Sequence, residues 1–111
     1  MPKAYVISEV EVLDEAKADQ YRTLAASSIK AYSGRYLVRG ATVHTLEGDA
    51  RGARLVIVEF PSMQEAKAWY DSADYAPARA IRETALERRV LLVEGHEHSP
   101  VRSVQPSGDT K

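Results

Sequence analysis

Arg39, His44 and Glu59 are the side chains of this chain best suited to chemistry, because they stand on segments that are otherwise apolar or alternating. Glu59 follows Leu55, Val56, Ile57 and Val58, so its carboxylate enters a strand with little else to solvate it. A carboxylate so placed needs a partner or a task. If the hairpin turns around Asp49, Arg39 stands across from Glu59 or Phe60. That pair is then either a clamp for a polar ligand or a cross-strand ion pair. Histidine is the side chain whose unperturbed charge change falls near neutral pH, so His44, expected on the opposite side of the same strand from Arg39, is the first candidate for proton transfer. His44 and Glu59 are accordingly the candidate catalytic residues, with a plain polar face residue as the alternative for His44.

Trp69, Tyr70 and Tyr75 cluster around an expected break between two helical segments, joined by Tyr5 and Tyr36 from strand ends. Apolar rings with polar tips can wall a flat organic ligand, and helix and core packing is the alternative use. With Arg39 these three form the candidate ligand-binding set. His96 and His98 make an H-x-H pair that lacks further ligands, so no metal site is expected there. Arg79, Arg82, Arg88 and Arg89 are interleaved with Glu83 and Glu87, which favours a solvated helix face over a nucleic-acid surface. A nucleophile with its base and orienter, a glycine-rich phosphate loop and metal-ligand spacing are all missing from the sequence, and no cofactor is expected.

Composition sets the class. The chain has 111 residues, 44% hydrophobic and 28% charged, which suits one globular domain. With 15 basic against 16 acidic residues the net charge is -1, and no global field recruits nucleic acid or an anionic membrane. Cysteine is absent, which removes thiolate and disulfide chemistry. Glu9 and Glu11 interrupt the first apolar run, so it does not read as a signal peptide, and no run is long enough for a membrane span. A cytoplasmic protein is the default expectation.

The elements that must position these residues follow from pattern. Tyr5, Val6, Ile7, Val10 and Val12 form a first strand ending near Leu13, where Asp14 is placed to cap a helix. Tyr21, Leu24, Ala25, Ser28, Ile29 and Tyr32 draw one apolar helical stripe, which Gly34 is expected to end at the C′ position. Residues 35–46 alternate as a second strand, and residues 48–52 supply the turn into a third strand that Pro61 stops. Ser62 and Glu65 have the spacing of a capping box at the start of a second helix. That helix breaks around residues 71–74 and resumes with Asp74 as cap and Pro77 in its first turn, reaching Leu86 or Glu87. Residues 90–94 form the last strand, and a polar tail occupies residues 96–111 beyond a domain at 1–95.

The order is β-α-β-β-α-β, with the second helix broken in two: an α+β, ferredoxin-like fold with a four-stranded antiparallel sheet. Right-handed crossovers put both helices on one face of such a sheet. Yet Leu55 and Ile57 oppose Val56 and Val58, and Leu91 and Val93 oppose Val90 and Leu92, so both faces are apolar. A second copy packed sheet to sheet is the expected cover.

The blocks GRYLVRG, TLEGD, RLVIVEFPS, AKAWYDSADY and LLVEG, in that order and spacing, resemble the domain of unknown function 1330 family over about residues 3–95. The resemblance implies a subunit of a dimeric α/β barrel and brings no settled activity. One departure is Ala41, which follows Arg39 and Gly40 where that family often carries a second glycine. The function expected is a homodimeric small-molecule-binding protein. Its catalytic form is a cofactor-independent enzyme acting on a small organic ligand in a cleft between sheet and helices. The alternative is a non-catalytic dimeric interaction module.

Overall fold

The computed structural model describes residues 2–49 and 53–96. The rest of the expected turn and of the polar tail, His98 included, lies outside the described residues. Among the described residues seven elements follow one another: β1 (Ala4–Val12), α1 (Glu15–Ala31), β2 (Arg35–Thr42), β3 (Arg54–Phe60), α2 (Met63–Tyr70), α3 (Ala76–Ala85) and β4 (Leu86–Glu94). The strands form one antiparallel sheet in the order β2-β3-β1-β4. No helix among the described residues is long and apolar enough to cross a membrane.

Alternation along the central strands sorts the two faces. Ala4, Val6 and Ser8 of β1 and Val58 and Phe60 of β3 are buried under the helices, whereas Tyr5, Ile7, Leu55 and Ile57 point the other way and are only half-buried. On α1 the apolar stripe buries Ala18, Tyr21, Ala25, Ser28 and Ile29. Ala18 and Ala25 on α1 and Ala78 and Ala85 on α3 are buried, and the two helices pack against each other. Asp14 caps α1 by accepting from the Lys17 N–H, and Ser62 caps α2 by accepting from the Glu65 N–H.

Four local expectations are corrected. Helix α1 ends with Ser33, not Gly34, in the left-handed conformation at φ 65°, while the Gly34 N–H reaches the Ile29 carbonyl at 2.9 Å and the Ser33 N–H the Lys30 carbonyl at 3.1 Å. That is a Schellman closure with serine at C′. Gly34 is needed for space instead: a Cβ there would lie 2.7 Å from both Ile29 Cγ2 and Phe60 Cε1. Asp74 does not cap α3, whose N-cap is Tyr75; the Tyr75 N–H is accepted by the Ser72 hydroxyl at 3.1 Å. Strand β4 begins at Leu86 rather than at residue 90, because Leu86 turns extended directly at the helix end. The Ala85 carbonyl there accepts from the Leu13 and Asp14 N–H groups.

The fourth correction concerns register. Strand β2 stops at Thr42, and two irregularities, between Tyr36 and Val38 and between Arg39 and Ala41, shift its pairing with β3. Arg39 therefore pairs with Val56, and the residue across from Glu59 is Arg35. An uninterrupted strand would put Tyr36 and Arg39 on opposite faces; one extra residue puts them on the same one. Gly40, at φ 78°, supplies the left-handed step of the second irregularity.

Candidate functional site

A hollow of about 290 Å³ lies between α1 and the helix-facing side of the sheet. Val6, Val10, Val56 and Val58 form its floor, and Ala25, Ile29, Trp69 and Leu86 line it from the helices and the start of β4. Its polar lining is cationic and hydroxylic: Arg22, Arg39 and Arg88, with Tyr21, Tyr36 and Ser8. Among the described residues no aspartate or glutamate lines it. Arg22 is compensated by Asp19 on its own helix. The Arg39 guanidinium carbon lies over the Tyr36 ring, 4.2 Å from its centre, and no carboxylate pairs with it among the described residues.

Arg88 reaches this hollow from β4, where it pairs with Val10. Its Nη2 donates to the Tyr75 hydroxyl at 2.8 Å and its Nη1 donates to the Tyr21 hydroxyl, while its buried Nε has no hydrogen-bond partner among the described residues. The two hydroxyls in turn share a hydrogen bond of 2.8 Å. Burial pushes the Tyr75 hydroxyl well above the usual tyrosine value, the neighbouring Tyr21 adds to this, and the Arg88 charge only partly opposes it. Burial likewise raises Tyr36 against the pull of Arg39.

The residues singled out from sequence are thus divided. Arg39 and Trp69 share the first hollow. Tyr70 does not; with Trp69, Val90 and Leu92 it lines a second hollow of about 280 Å³ beside α2, and the Arg79 guanidinium lies 4.5 Å from its ring centre. Tyr75 is fully buried and tied to the first hollow through Arg88 and Tyr21. Trp69 packs 4.3 Å from the Tyr75 ring centre, and its indole N–H donates to the Ser28 hydroxyl at 2.9 Å.

Glu59 lies on the other face of the sheet. Its carboxylate accepts from Arg35 Nε at 2.8 Å and from the Tyr5 hydroxyl at 3.3 Å, so the expected pairing with Arg39, as ion pair or clamp, does not form. His44 lies beyond the end of β2, exposed, and not on the strand. Tyr5 and Tyr36, grouped together from sequence, sit on opposite faces.

Tyr21 and Arg88 are the members that sequence reasoning missed as site residues. Tyr21 was absorbed into an apolar helical stripe, and Arg88 into an assumed helix face. The available signal was the alternation Leu86, Arg88, Val90, which marks a strand with an arginine on its covered side.

An α+β, ferredoxin-like domain with a hollow between its helices and sheet is the class of protein these features define. The chain belongs to the family described as Domain of unknown function (DUF1330), which matches residues 3–96. Among solved structures it is similar to a protein of unknown function from Rhodopseudomonas palustris, at 14% identity over 87% of this chain and 85% of that one, with a TM-score of 0.72. It is similar also to SnoaB, a cofactor-independent oxygenase from Streptomyces nogalater, at 10% identity over 90% and 99% of the two chains, TM-score 0.60. A dimeric ferredoxin-like protein of unknown function from Thermobifida fusca matches at 14% identity over 84% and 91%, TM-score 0.58. At these identities the likeness is one of fold. No curated protein matches the chain.

Proposed function

We propose that this chain is a homodimeric small-molecule-binding protein whose ligand lodges in the hollow between α1 and the sheet, with a cofactor-independent reaction on that ligand as its catalytic form. One observation carries the reading: a cavity in the body of the domain, walled by valines, isoleucine and tryptophan, into which Arg39 and Arg88 bring charge with no lining carboxylate among the described residues. Charge beside apolar walls is costly unless something answers it, and ligand sites combine apolar surface with a few placed polar groups in this way. The description of SnoaB as a cofactor-independent oxygenase lends the catalytic form support from a related fold. The dimer is supported by the apolar outer face of the sheet and by a neighbour described as dimeric.

Calorimetry with one-ring and two-ring organic compounds tests the reading, with Ala25→Phe as a variant that fills the hollow. Binding to the native chain and its loss in the filled variant, with the circular dichroism spectrum kept, is the expected result. Binding undisturbed by the filling would place the ligand elsewhere.

A further inference from the structure

The hydrogen bonds around Tyr21 can be counted proton by proton. A phenol carries one proton and can accept two hydrogen bonds. Arg88 donates to both hydroxyl oxygens, and the hydroxyls share one bond between them. Two phenolic protons are present and that bond uses one of them. The other has no acceptor among the described residues.

Burial decides which proton is left over. If Tyr21 donated to Tyr75, the spare proton would sit on Tyr75, which is fully buried and lines neither hollow, and a donor would be stranded there. If Tyr75 donates to Tyr21, the spare proton is on Tyr21, which lines the first hollow, where an incoming oxygen can accept it. The second arrangement strands nothing. It also leaves the Tyr21 oxygen accepting from both Arg88 and Tyr75, and hydrogen bonds in such a chain polarise one another and strengthen the last donor. Raised titration of Tyr75 is consistent with its keeping the proton that it gives to Tyr21.

Arg39 lines the same hollow, stacked on Tyr36 and free of any carboxylate among the described residues. Its charge and the Tyr21 hydroxyl are donors only toward that space, and its remaining walls are mostly apolar. Such a space discriminates by charge: an oxyanion on an apolar body answers both donors, a cation answers neither, and a sugar would set its remaining hydroxyls against apolar walls.

We propose that Tyr21, held by Arg88 and Tyr75 and joined by Arg39, is an oxyanion-binding donor set. The ligand class it selects is a flat molecule of one or two rings bearing a carboxylate or enolate oxygen. This rests on the hollow being the ligand site, as argued above, and adds the chemical class. The volume agrees with it, since a hollow of about 290 Å³ is at the small end of ligand cavities.

Three probes of similar shape separate the possibilities: naphthoate as carboxylate, acetylindanedione as enolate at neutral pH, and naphthamide as neutral control. At least one anion is expected to bind about tenfold or more tightly than the amide, and whichever is tighter identifies the source of the oxygen. Tyr21→Phe is expected to remove most of that difference. Tyr75→Phe, which leaves the Tyr21 hydroxyl and Arg88 in place, is expected to cost only a few-fold, whereas a merely structural role would make the two variants alike. Equal affinity for amide and anions, or equal losses in the two variants, overturns the donor set while leaving the hollow as the ligand site. Failure of all three probes to bind overturns both. Should Tyr21→Phe fail to fold, the comparison of amide with anions on the native chain still decides.

Discussion

Tyr21 and Tyr75 bring their phenolic oxygens to 2.8 Å of one another across 54 residues of chain, with their rings edge to face at 6.3 Å. The contact exists because α1 and α3 pack together on the covered side of the sheet and β4 then brings Arg88 within hydrogen-bond reach of both hydroxyls. It ties one wall of the hollow to the crossover that ends the fold, so the polar groups are fixed by the packing rather than by a loop.

Alkaline pH should loosen this arrangement. Tyr75 is held above the ordinary tyrosine value, chiefly by burial. The folded chain thus prefers the protonated phenol more than the unfolded chain does. That preference contributes full stability below the unfolded value of about 10 and is lost as pH climbs above it, at up to about 1.4 kcal/mol per pH unit. Urea unfolding measured from pH 8 to 11 (chosen to bracket a value of about 10) is expected to show this fall, and Tyr75→Phe is expected to make it shallower. Tyr36, also raised, keeps part of the slope in that variant.

The chain has one tryptophan, and its buried indole N–H has one acceptor among the described residues, the Ser28 hydroxyl. That hydroxyl donates in turn to the Ala25 carbonyl at 2.8 Å. Ser28→Ala leaves the indole donor unmatched in the core, and a loss of about 1–3 kcal/mol is expected. Guanidinium unfolding followed by Trp69 fluorescence measures it. Ser28→Ala at native stability would mean that the donor finds another acceptor.

Much of the frame was legible in residue order, because capping and periodicity are local signals. Asp14 and Ser62 cap where their spacing said they would, and the stripe from Tyr21 to Tyr32 is the covered face of α1. The site was less legible because it depends on two events without a strong local signature. One is the pair of register shifts in β2, which moved Arg39 away from Glu59 and onto the Tyr36 face. The other is the direct passage from α3 into β4, which turned Arg88 from an assumed surface residue into a ligand of two buried hydroxyls. A shift of one residue in a strand reverses every side chain beyond it, and no composition rule announces where it occurs.

Ser33 and Gly34 are neighbours with opposite requirements. Ser33 carries a positive φ without needing its side chain there, so Ser33→Gly is expected to stabilise the fold by roughly 0.5–1 kcal/mol. Gly34 has Ile29 and Phe60 atoms 2.7 Å from where a Cβ would sit, so Gly34→Ala is expected to destabilise by about 1–3 kcal/mol through overpacking. Chemical unfolding of the two single variants side by side checks both signs. Swapped signs would mean that the helix end is closed by the glycine.

The outer face of the sheet yields the last prediction. Ile7 pairs with Ile57 at its centre, Leu91 lies beside Ile7 on β4, and Val93 beside Tyr5. Leu91 and Val93 are 38% and 40% exposed in the single chain, so with Ile7 and Ile57 they leave apolar surface on this face that a second copy would cover. Charged side chains stand at the margins, Glu9 with Arg89 on one flank and Glu59 with Arg35 on another, as in interfaces with an apolar centre and a polar rim. Ile57→Glu puts a carboxylate at the centre, where a second copy would have to desolvate it without a partner. Sedimentation at micromolar concentration is expected to find the native chain dimeric and Ile57→Glu monomeric, with the helical circular dichroism of both alike. A native chain that sediments as a monomer would leave the outer face without its second copy.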